Sequence, residues 1–212
     1  MQLFVIKKIF HRASFTLFGD IAQSIYRHGI HDDWEALNKK VWNDEAIILY
    51  LNKSYRSTIE IMEAASKVLS KIANMPRADA VIRHGEPVNY LDVVGEHGRA
   101  IACINCIINR MEQGNVNIAV ILSKPDYCQE FSIKIQELLS TKNTAIIKSL
   151  SPQDLTYDGG ICVLSAALSK GLEFDSVIVA DAERFPDNAQ GIKQQYVSMT
   201  RAMHTLDVIK RI

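Results

Sequence analysis

No apolar run in the sequence approaches the roughly 20 residues that a membrane-spanning helix requires. The longest runs, at 162–168 and 177–180, are far shorter. Neither sign of charge is in excess, because 24 Lys and Arg residues balance 24 Asp and Glu residues in a chain of 212. Such a chain has no broad positive field, so any contact with DNA or RNA has to be local. These absences argue against a membrane protein and against a strongly basic, free-standing nucleic-acid-binding protein.

Cysteine is scarce as well, with four in a chain that is 48% hydrophobic and long enough to bury a full-sized core. A chain of this kind does not depend on disulfides, which is typical of a reducing compartment. The first ten residues carry lysines inside their apolar run and have no small-residue cleavage site, unlike a signal peptide. The sequence therefore predicts a cytoplasmic protein.

Two of the cysteines, Cys103 and Cys106, form a single C-x-x-C pattern within a segment of helical period. A second such pair or nearby histidines would favour a zinc site, and neither accompanies this pattern. A buried or idle pair is the favoured interpretation, with zinc or redox chemistry as the alternative.

The sequence also lacks a phosphate-binding loop, because that loop needs a Gly-Lys dipeptide and none occurs in the chain. The acidic pair that would hold a metal ion at the end of an apolar strand is missing too. Asp44 and Glu45 do not follow such a strand. Asp181 does follow one, at 177–180, but without a phosphate loop we expect it to have nothing to pair with. We predict no metal site.

Short apolar runs alternate with segments of helical period, a pattern typical of a parallel sheet covered by helices. We predict an α/β fold with a mostly parallel sheet flanked by helices. The predicted strands lie at 15–18, 46–49, 88–91, 118–122, 145–147, 160–164, 176–179 and 206–209. The predicted helices lie at 58–73, 97–112, 125–139 and 190–203. An irregular stretch at 28–43 predicts a boundary between a short N-terminal piece and a larger domain.

Four segments place polar or charged side chains after apolar strands, where open α/β sheets bind ligands. They lie at 15–26, 51–58, 164–174 and 196–202. Two of them carry arginines, Arg56 and Arg201, and two arginines suit a polyphosphate because each can hold a phosphate with two hydrogen bonds. We expect Arg56, Glu173 and Arg201 to converge at one edge of the sheet, at the carboxyl ends of strands.

Each of these side chains also has an ordinary structural role. A single arginine is more often a surface ion-pair partner than a phosphate ligand, and Glu173 fits a pair or a cap. Asp20 follows a glycine, which is common in turns, and Lys170 fits a solvated turn. Tyr26 and Tyr55 fit half-buried aromatic residues. Composition and spacing alone lead only to an α/β domain with a capacity for an anionic ligand.

Taken together, the four segments resemble motifs three to six of the UvrD/Rep-type superfamily-one helicases. Gly19-Asp-Ile-Ala-Gln-Ser-Ile-Tyr26 is similar to the third motif, and Asn52-Lys-Ser-Tyr-Arg-Ser57 is similar to the fourth. Lys170-Gly-Leu-Glu-Phe174 resembles the fifth motif, and Tyr196-Val-Ser-Met-Thr-Arg-Ala202 resembles the sixth. The nearest resemblance is to the HelD-like (helicase IV-like) branch, whose members include ATPases that remodel RNA polymerase. The resemblance implies a RecA-like (P-loop NTPase type) domain without its own P-loop.

The resemblance implies that ATP lies in a cleft between two RecA-like domains. Arg56 and Arg201 would act as arginine fingers, and Gln23 would sense the γ-phosphate or its attacking water. These three are the predicted catalytic residues. Tyr55 would stack on the adenine, and Glu173 would accept a hydrogen bond from the ribose. The predicted ATP-binding residues are Asp20, Tyr55, Lys170, Gly171 and Glu173, with Gly171 allowing close backbone approach.

For nucleic acid, the resemblance implies that Tyr26 and Arg27 contact single-stranded DNA or RNA. Two strand-contacting positions of the family differ here. Ala167 stands where the fifth motif usually has a histidine, and His28-Gly29 stands where an aromatic and a cation are common. These departures favour ATP-driven remodelling of a complex, such as one with RNA polymerase, over duplex unwinding.

The family places both missing motifs before residue 19, so the resemblance implies the C-terminal part of a larger protein. Residues 1–44 would be the tail of a first RecA-like domain, and residues 45–212 would form the second. Mg²⁺ would be held by the missing N-terminal part, and this chain would be inactive alone. The implied function is the ATP-binding C-terminal half of an ATP-dependent DNA helicase or translocase. The alternatives are a HelD-like remodelling ATPase and a non-catalytic RecA-like interaction module.

Overall fold

A parallel β-sheet forms the centre of the fold. A computed structural model of the protein describes residues 2–25, 34–51, 53–73, 75, 79–80, 83–154 and 156–212. A small parallel pair, β1 (Lys53–Ser54) and β2 (Asp79–Ala80), precedes the main sheet. The main sheet contains β3 (Asn89–Val93), β4 (Ile118–Leu122), β5 (Ile147–Ser149), β6 (Ile161–Ser165), β7 (Phe174–Val179) and β8 (Ala202–Arg211). Its spatial order is β3-β8-β7-β4-β6-β5, and every neighbouring pair is parallel.

Helices cover both faces of this sheet. The helices are α1 (Gln2–Ile9), α2 (Trp34–Trp42), α3 (Ile59–Leu69), α4 (Gly95–Glu112), α5 (Cys128–Ser140) and α6 (Ala189–Met199). Successive residues of a strand face opposite sides, so Ala119 and Ile121 of β4 belong to the core under α3 and α6. Ile118, Val120 and Leu122 belong to the core under α4 and α5. The predicted α/β fold with a mostly parallel sheet flanked by helices is confirmed.

The end of α6 differs from the sequence prediction in a way that matters for the site. The helical period predicts a helix to residue 203, but α6 ends at Met199 and β8 begins at Ala202. The backbone N–H of Phe174 in β7 donates to the carbonyl of Arg201 at 3.0 Å. Because the chain pairs with β7 from this point, the helix ends early and Arg201 lies in the turn between α6 and β8.

Two predicted strands, at 15–18 and 46–49, are wrong. Neither segment has regular secondary structure, and in the described part of the chain neither one pairs with another strand. Phe18 and Ile47 are each 88% exposed, and Leu49 is 84% exposed. Their apolar pattern is typical of a buried parallel strand, but a strand forms only where a neighbour supplies hydrogen bonds.

The C-x-x-C pair lies in α4, where both side chains are buried. Burial raises the pKa of the Cys103 thiol well above its ordinary value and raises the pKa of Cys106 to about 12. Protonated, buried thiols favour the interpretation as a structural pair. Within the described residues, no group of three or more His, Cys, Asp and Glu side chains is placed to hold a metal ion. No helix in that part of the chain combines the length and apolar character that crossing a membrane requires.

Candidate functional site

Arg56, Glu173 and Arg201 converge at one edge of the sheet, but it is the amino edge. Glu173 immediately precedes β7 and Arg201 immediately precedes β8, while Arg56 lies in the turn between β1 and α3. Because β7 and β8 are parallel neighbours with Phe174 opposite Ala202, their amino ends meet. The expectation of carboxyl strand ends is therefore wrong. The loop at 166–173 starts at the carboxyl end of β6 and crosses to the amino edge of the sheet, where β7 begins. The spacing of residues in the sequence does not reveal this crossing.

Arg56 and Glu173 form an ion pair. The Arg56 Nη2 atom lies 2.6 Å from Glu173 Oε1, and both side chains are about 40% exposed. A pair this exposed contributes on the order of 0 to 1 kcal/mol. As the structure stands, both residues have the ordinary pairing role. Because the ion pair with Glu173 contributes so little free energy, Arg56 can exchange Glu173 for a ligand anion.

Arg201 is buried, with 2% of its surface exposed. Its Nε donates to the carbonyl of Val197 at 3.1 Å, and its Nη1 donates to the carbonyl of Leu172 at 3.4 Å. Its Nη2 donates to Thr200 Oγ1 at 3.4 Å and to Gln23 Oε1 at 3.5 Å. All four acceptors are uncharged. Among the described residues, no carboxylate lies within ion-pair distance of Arg201.

The electrostatics of Arg201 reflect this burial. Burial lowers the pKa of its guanidinium, the positive charge of nearby Arg56 lowers it further, and the charge of Glu173 acts in the opposite direction. Arginine nevertheless stays charged at neutral pH. A desolvated cation next to a second cation is unfavourable. An anion placed between the two guanidiniums would relieve that cost.

A segment from the N-terminal region places Gln23 against Arg201. The Asp20 carboxylate accepts hydrogen bonds from the Ala22 N–H at 2.8 Å and from Gln23 Nε2 at 2.7 Å, which leaves Gln23 Oε1 directed at Arg201. Ile21, Ala22 and Ile25 are buried in the core shared with α3 and α6. The predicted catalytic residues Gln23 and Arg201 are therefore in contact, although 178 positions separate them.

Tyr196 belongs to the same cluster and is not among the predicted site residues. It is buried in α6, and its pKa is raised to about 12 by burial and then by the charge of Asp20, against the opposing effect of Arg201. Tyr196 lies five residues before Arg201 in the segment that resembles the sixth motif, and this proximity is the sequence feature that could have placed it in the cluster. Thr200, the residue beside Arg201, is the other neighbour that the prediction omits.

The remaining predicted ATP-binding residues lie on the segments that carry the cluster. Tyr55 is 74% exposed and precedes Arg56. Lys170 and Gly171 are exposed in the loop before Glu173. Gly171 has φ +92° and open space where a Cβ would be, so a left-handed backbone accounts for the glycine. The predicted nucleic-acid contacts Tyr26 and Arg27 lie outside the described residues.

A buried carboxylate lies at the carboxyl edge of the sheet, where β4 and β7 end. There the chain leaves β4 and β7 towards helices on opposite faces, an arrangement that opens a ligand crevice in many α/β folds. Asp181 is fully buried at this point and accepts hydrogen bonds from the N–H of Ser123 at 2.8 Å and from Ser123 Oγ at 2.7 Å. Asp181 therefore has a structural partner in Ser123, because the strand order makes the segment after β4 its neighbour.

Comparisons with known proteins address the fold. No protein-family model matches the chain, and no curated protein matches it. Among solved structures, it is similar to the C-terminal domain of a possible DNA helicase from Lactobacillus plantarum WCFS1. That similarity has a TM-score of 0.55 at 23% sequence identity and covers 74% of this chain and 87% of that chain.

A second, weaker neighbour is an arterivirus nonstructural protein 10, a helicase, in complex with DNA. It has a TM-score of 0.35 at 12% identity, and the match covers 58% of this chain and 28% of that chain. A similarity this low carries no argument about the present chain. The first comparison supports the architecture: the chain shares the α/β fold of that domain.

Proposed function

We propose that this chain is the ATP-binding second RecA-like domain of a UvrD/Rep-type helicase or translocase. One observation carries the proposal: Arg201 is a buried cation with uncharged acceptors only, next to a second arginine whose ion pair is exposed and weak. A polyphosphate is the ligand that suits two such guanidiniums, because each can hold phosphate oxygens with two hydrogen bonds. The four motif resemblances and the similarity in fold to a helicase C-terminal domain favour ATP as that polyphosphate.

In this proposal, Arg56 and Arg201 bind and orient the phosphates, with Gln23 held between Asp20 and Arg201. The exposed ring of Tyr55 is available to stack on the adenine. Glu173, released from Arg56, can accept a hydrogen bond from a ribose hydroxyl. Bound ATP supplies the phosphoryl group whose transfer drives movement along nucleic acid.

The side chains of this candidate site can form only one half of an ATP site. It contains cations and hydrogen-bond donors but no phosphate loop and, within the described residues, no acidic cluster for Mg²⁺. A partner RecA-like domain would supply both. The exposed apolar segments at 15–18 and 46–49 agree with this, because they have the pattern of strands that lack a neighbouring sheet. We propose that residues 1–44 complete such a first domain and that 45–212 form the second.

The isolated 212-residue chain should bind ATP weakly and should not hydrolyse it at a measurable steady rate. Calorimetric titration with ATP and a phosphate-release assay test both expectations on one preparation. The Arg201→Ala variant should lose the binding, whereas Arg211→Ala, at the opposite end of β8, should retain it. Steady turnover by the isolated chain that Arg201→Ala abolishes would contradict the half-site proposal.

A HelD-like remodelling activity is a second candidate because of two sequence differences. A methyl group at Ala167 and the pair His28-Gly29 replace side chains with which the unwinding enzymes hold their strand. We expect the complete protein to hydrolyse ATP, to unwind duplexes poorly, and to act mainly on a nucleoprotein complex such as RNA polymerase. Strand-displacement and ATPase assays on the same full-length preparation decide this. Robust unwinding that is coupled to hydrolysis and lost on Tyr26→Ala would favour the conventional helicase.

A non-catalytic interaction module is the remaining alternative. ATP binding by the isolated chain does not separate it from the proposed function, since a module can keep a residual anion site. A phosphate-loop sequence in the reading frame upstream of Met1 would favour the catalytic reading. Its absence from the complete gene would favour the module.

A further inference from the structure

We propose that Arg83 is a positioning residue that sets the spacing between Arg56 and Arg201, and thereby selects a polyphosphate over a single phosphate. This inference rests on the proposed function, because it concerns the same arginine pair. Arg83 itself does not need to touch the ligand. It lies in the segment before β3, in a stretch where the sequence shows no motif.

The Arg83 side chain joins the two segments that carry the arginines. Its Nη2 atom donates to the backbone carbonyl of Arg56 at 3.0 Å and also to the backbone carbonyl of Met203. One nitrogen with two hydrogens therefore bridges the turn after β1 and the start of β8. The backbone of Arg83 is held as well, because its carbonyl accepts from the N–H of Ile59 at the start of α3.

A second bond runs beside this bridge. The buried hydroxyl of Ser57 donates to the carbonyl of Ala202 at 2.6 Å. The carbonyl of Ala202 is therefore bonded to Ser57, and the carbonyl of Met203 is bonded to Arg83. Ala202 and Met203 are the two residues that follow Arg201. Strand β3 pairs with β8 only from Asp207 onward, which leaves this end of β8 open for Ser57 and Arg83.

The bridge matters because, together with the Ser57–Ala202 bond, it ties the segment that carries Arg56 to the residues that follow Arg201. Both guanidiniums are positively charged, and the charge of Arg56 lowers the pKa of Arg201. Without Arg83, the exposed Arg56 turn would keep the Ser57–Ala202 bond but would lose the bridge to Met203, so its spacing from the buried cation would be less fixed. A ligand that spans both guanidiniums gains affinity only while their spacing is held, and a single phosphate gains little from it.

The inference is tested on the 212-residue chain with inorganic tripolyphosphate and orthophosphate, each titrated by calorimetry. The unaltered chain should prefer tripolyphosphate. Arg83→Ala should weaken tripolyphosphate binding by about tenfold and orthophosphate binding by less than about twofold, since only the longer anion engages both arginines. Arg83→Lys keeps the charge, but its ammonium nitrogen ends one bond short of the Nη2 position that makes both hydrogen bonds, so it should give nearly the same loss. The matched control, Arg211→Ala, removes a cation from the other end of β8 and should leave the preference unchanged.

Arg83→Ala or Arg83→Lys binding tripolyphosphate as the unaltered chain does would overturn the inference. Full recovery in Arg83→Lys after a loss in Arg83→Ala would also overturn it, because charge alone would then account for the effect. If Arg83→Ala fails to fold in a thermal melt, Arg83→Met takes its place, because it keeps the aliphatic stem without the donor nitrogen and should lower the same preference. If the unaltered chain shows no preference for tripolyphosphate, or if Arg201→Ala leaves tripolyphosphate binding unchanged, the proposed function itself is contradicted.

Discussion

Replacing Arg201 with alanine is expected to slow ATP hydrolysis by about 10³- to 10⁵-fold in an assembly of this chain with a phosphate-loop domain. The expectation follows from the burial of Arg201 and from its uncharged hydrogen-bond acceptors, which leave its charge without a carboxylate partner among the described residues. The kcat and KM of the steady-state reaction check it. The loss should fall mainly on kcat if the charge acts on the transferring phosphoryl group.

The experiment needs a control for folding, because Arg201 bonds to Val197, Leu172 and Thr200. Arg201→Gln keeps some of these hydrogen bonds without the charge, and it should lose nearly as much activity as the alanine variant. Arg184→Ala removes a partly exposed arginine near the carboxyl edge and should retain full activity. Activity within tenfold of wild type for folded Arg201→Ala would remove Arg201 from the catalytic set.

The second large effect concerns stability and the buried carboxyl of Asp181. Burial raises its pKa from an ordinary value of 3.8 to about 6, against the hydrogen bonds from Ser123 and the charge of Arg99, while the charge of Glu183 adds to the rise. The folded chain therefore holds a proton that the unfolded chain releases near pH 4. The contribution of Asp181 to the free energy of unfolding is full below pH 4 and is lost as the pH rises through about 6, a change of about 2 to 3 kcal/mol.

Asp181→Asn should remove this pH dependence. Its amide oxygen can accept from the Ser123 N–H, and its NH₂ group can donate to Ser123 Oγ, so the local bonds persist. Urea unfolding between pH 4.5 and 7.5 should show the variant gaining stability relative to wild type as the pH rises. Asp126→Asn, at an exposed position in the short 3₁₀ helix Pro125–Tyr127 after β4, is the matched control. Equal pH profiles for wild type and Asp181→Asn would contradict the expectation.

Much of the sheet can be predicted from local pattern. The run at 118–122 is apolar and β-branched on both faces and forms β4 at the predicted bounds. The runs at 15–18 and 46–49 have the same local character but form no strand in the described structure. The difference lies outside the segments, because β4 has β6 and β7 beside it. Strand formation depends on hydrogen bonds from neighbours, which a single-segment pattern does not contain.

The candidate site shows the same difference between local sequence pattern and tertiary contacts. The types and order of its residues are properties of the sequence, and the arginines at 56 and 201 predict an anionic ligand that a polyphosphate would suit. The roles of Glu173 and Gln23 follow only from the resemblance to the helicase motifs. Their edge of the sheet was not predictable, since it depends on a loop that recrosses the sheet and on a helix that ends four residues early. Arg83 carries no local signal at all.

The sequence by itself determined the fold class and the chemical character of the site, because alternating apolar periods and residue types are local properties. Only the tertiary structure decided that Arg201 is buried with no carboxylate partner among the described residues, while Arg56 is partly exposed and paired with Glu173. The structure also decided that Asp181 is bonded to Ser123 at the carboxyl edge and that Arg83 bridges the two arginine-bearing segments. Burial and spacing arise from contacts between segments up to 178 positions apart, and no local pattern encodes such contacts.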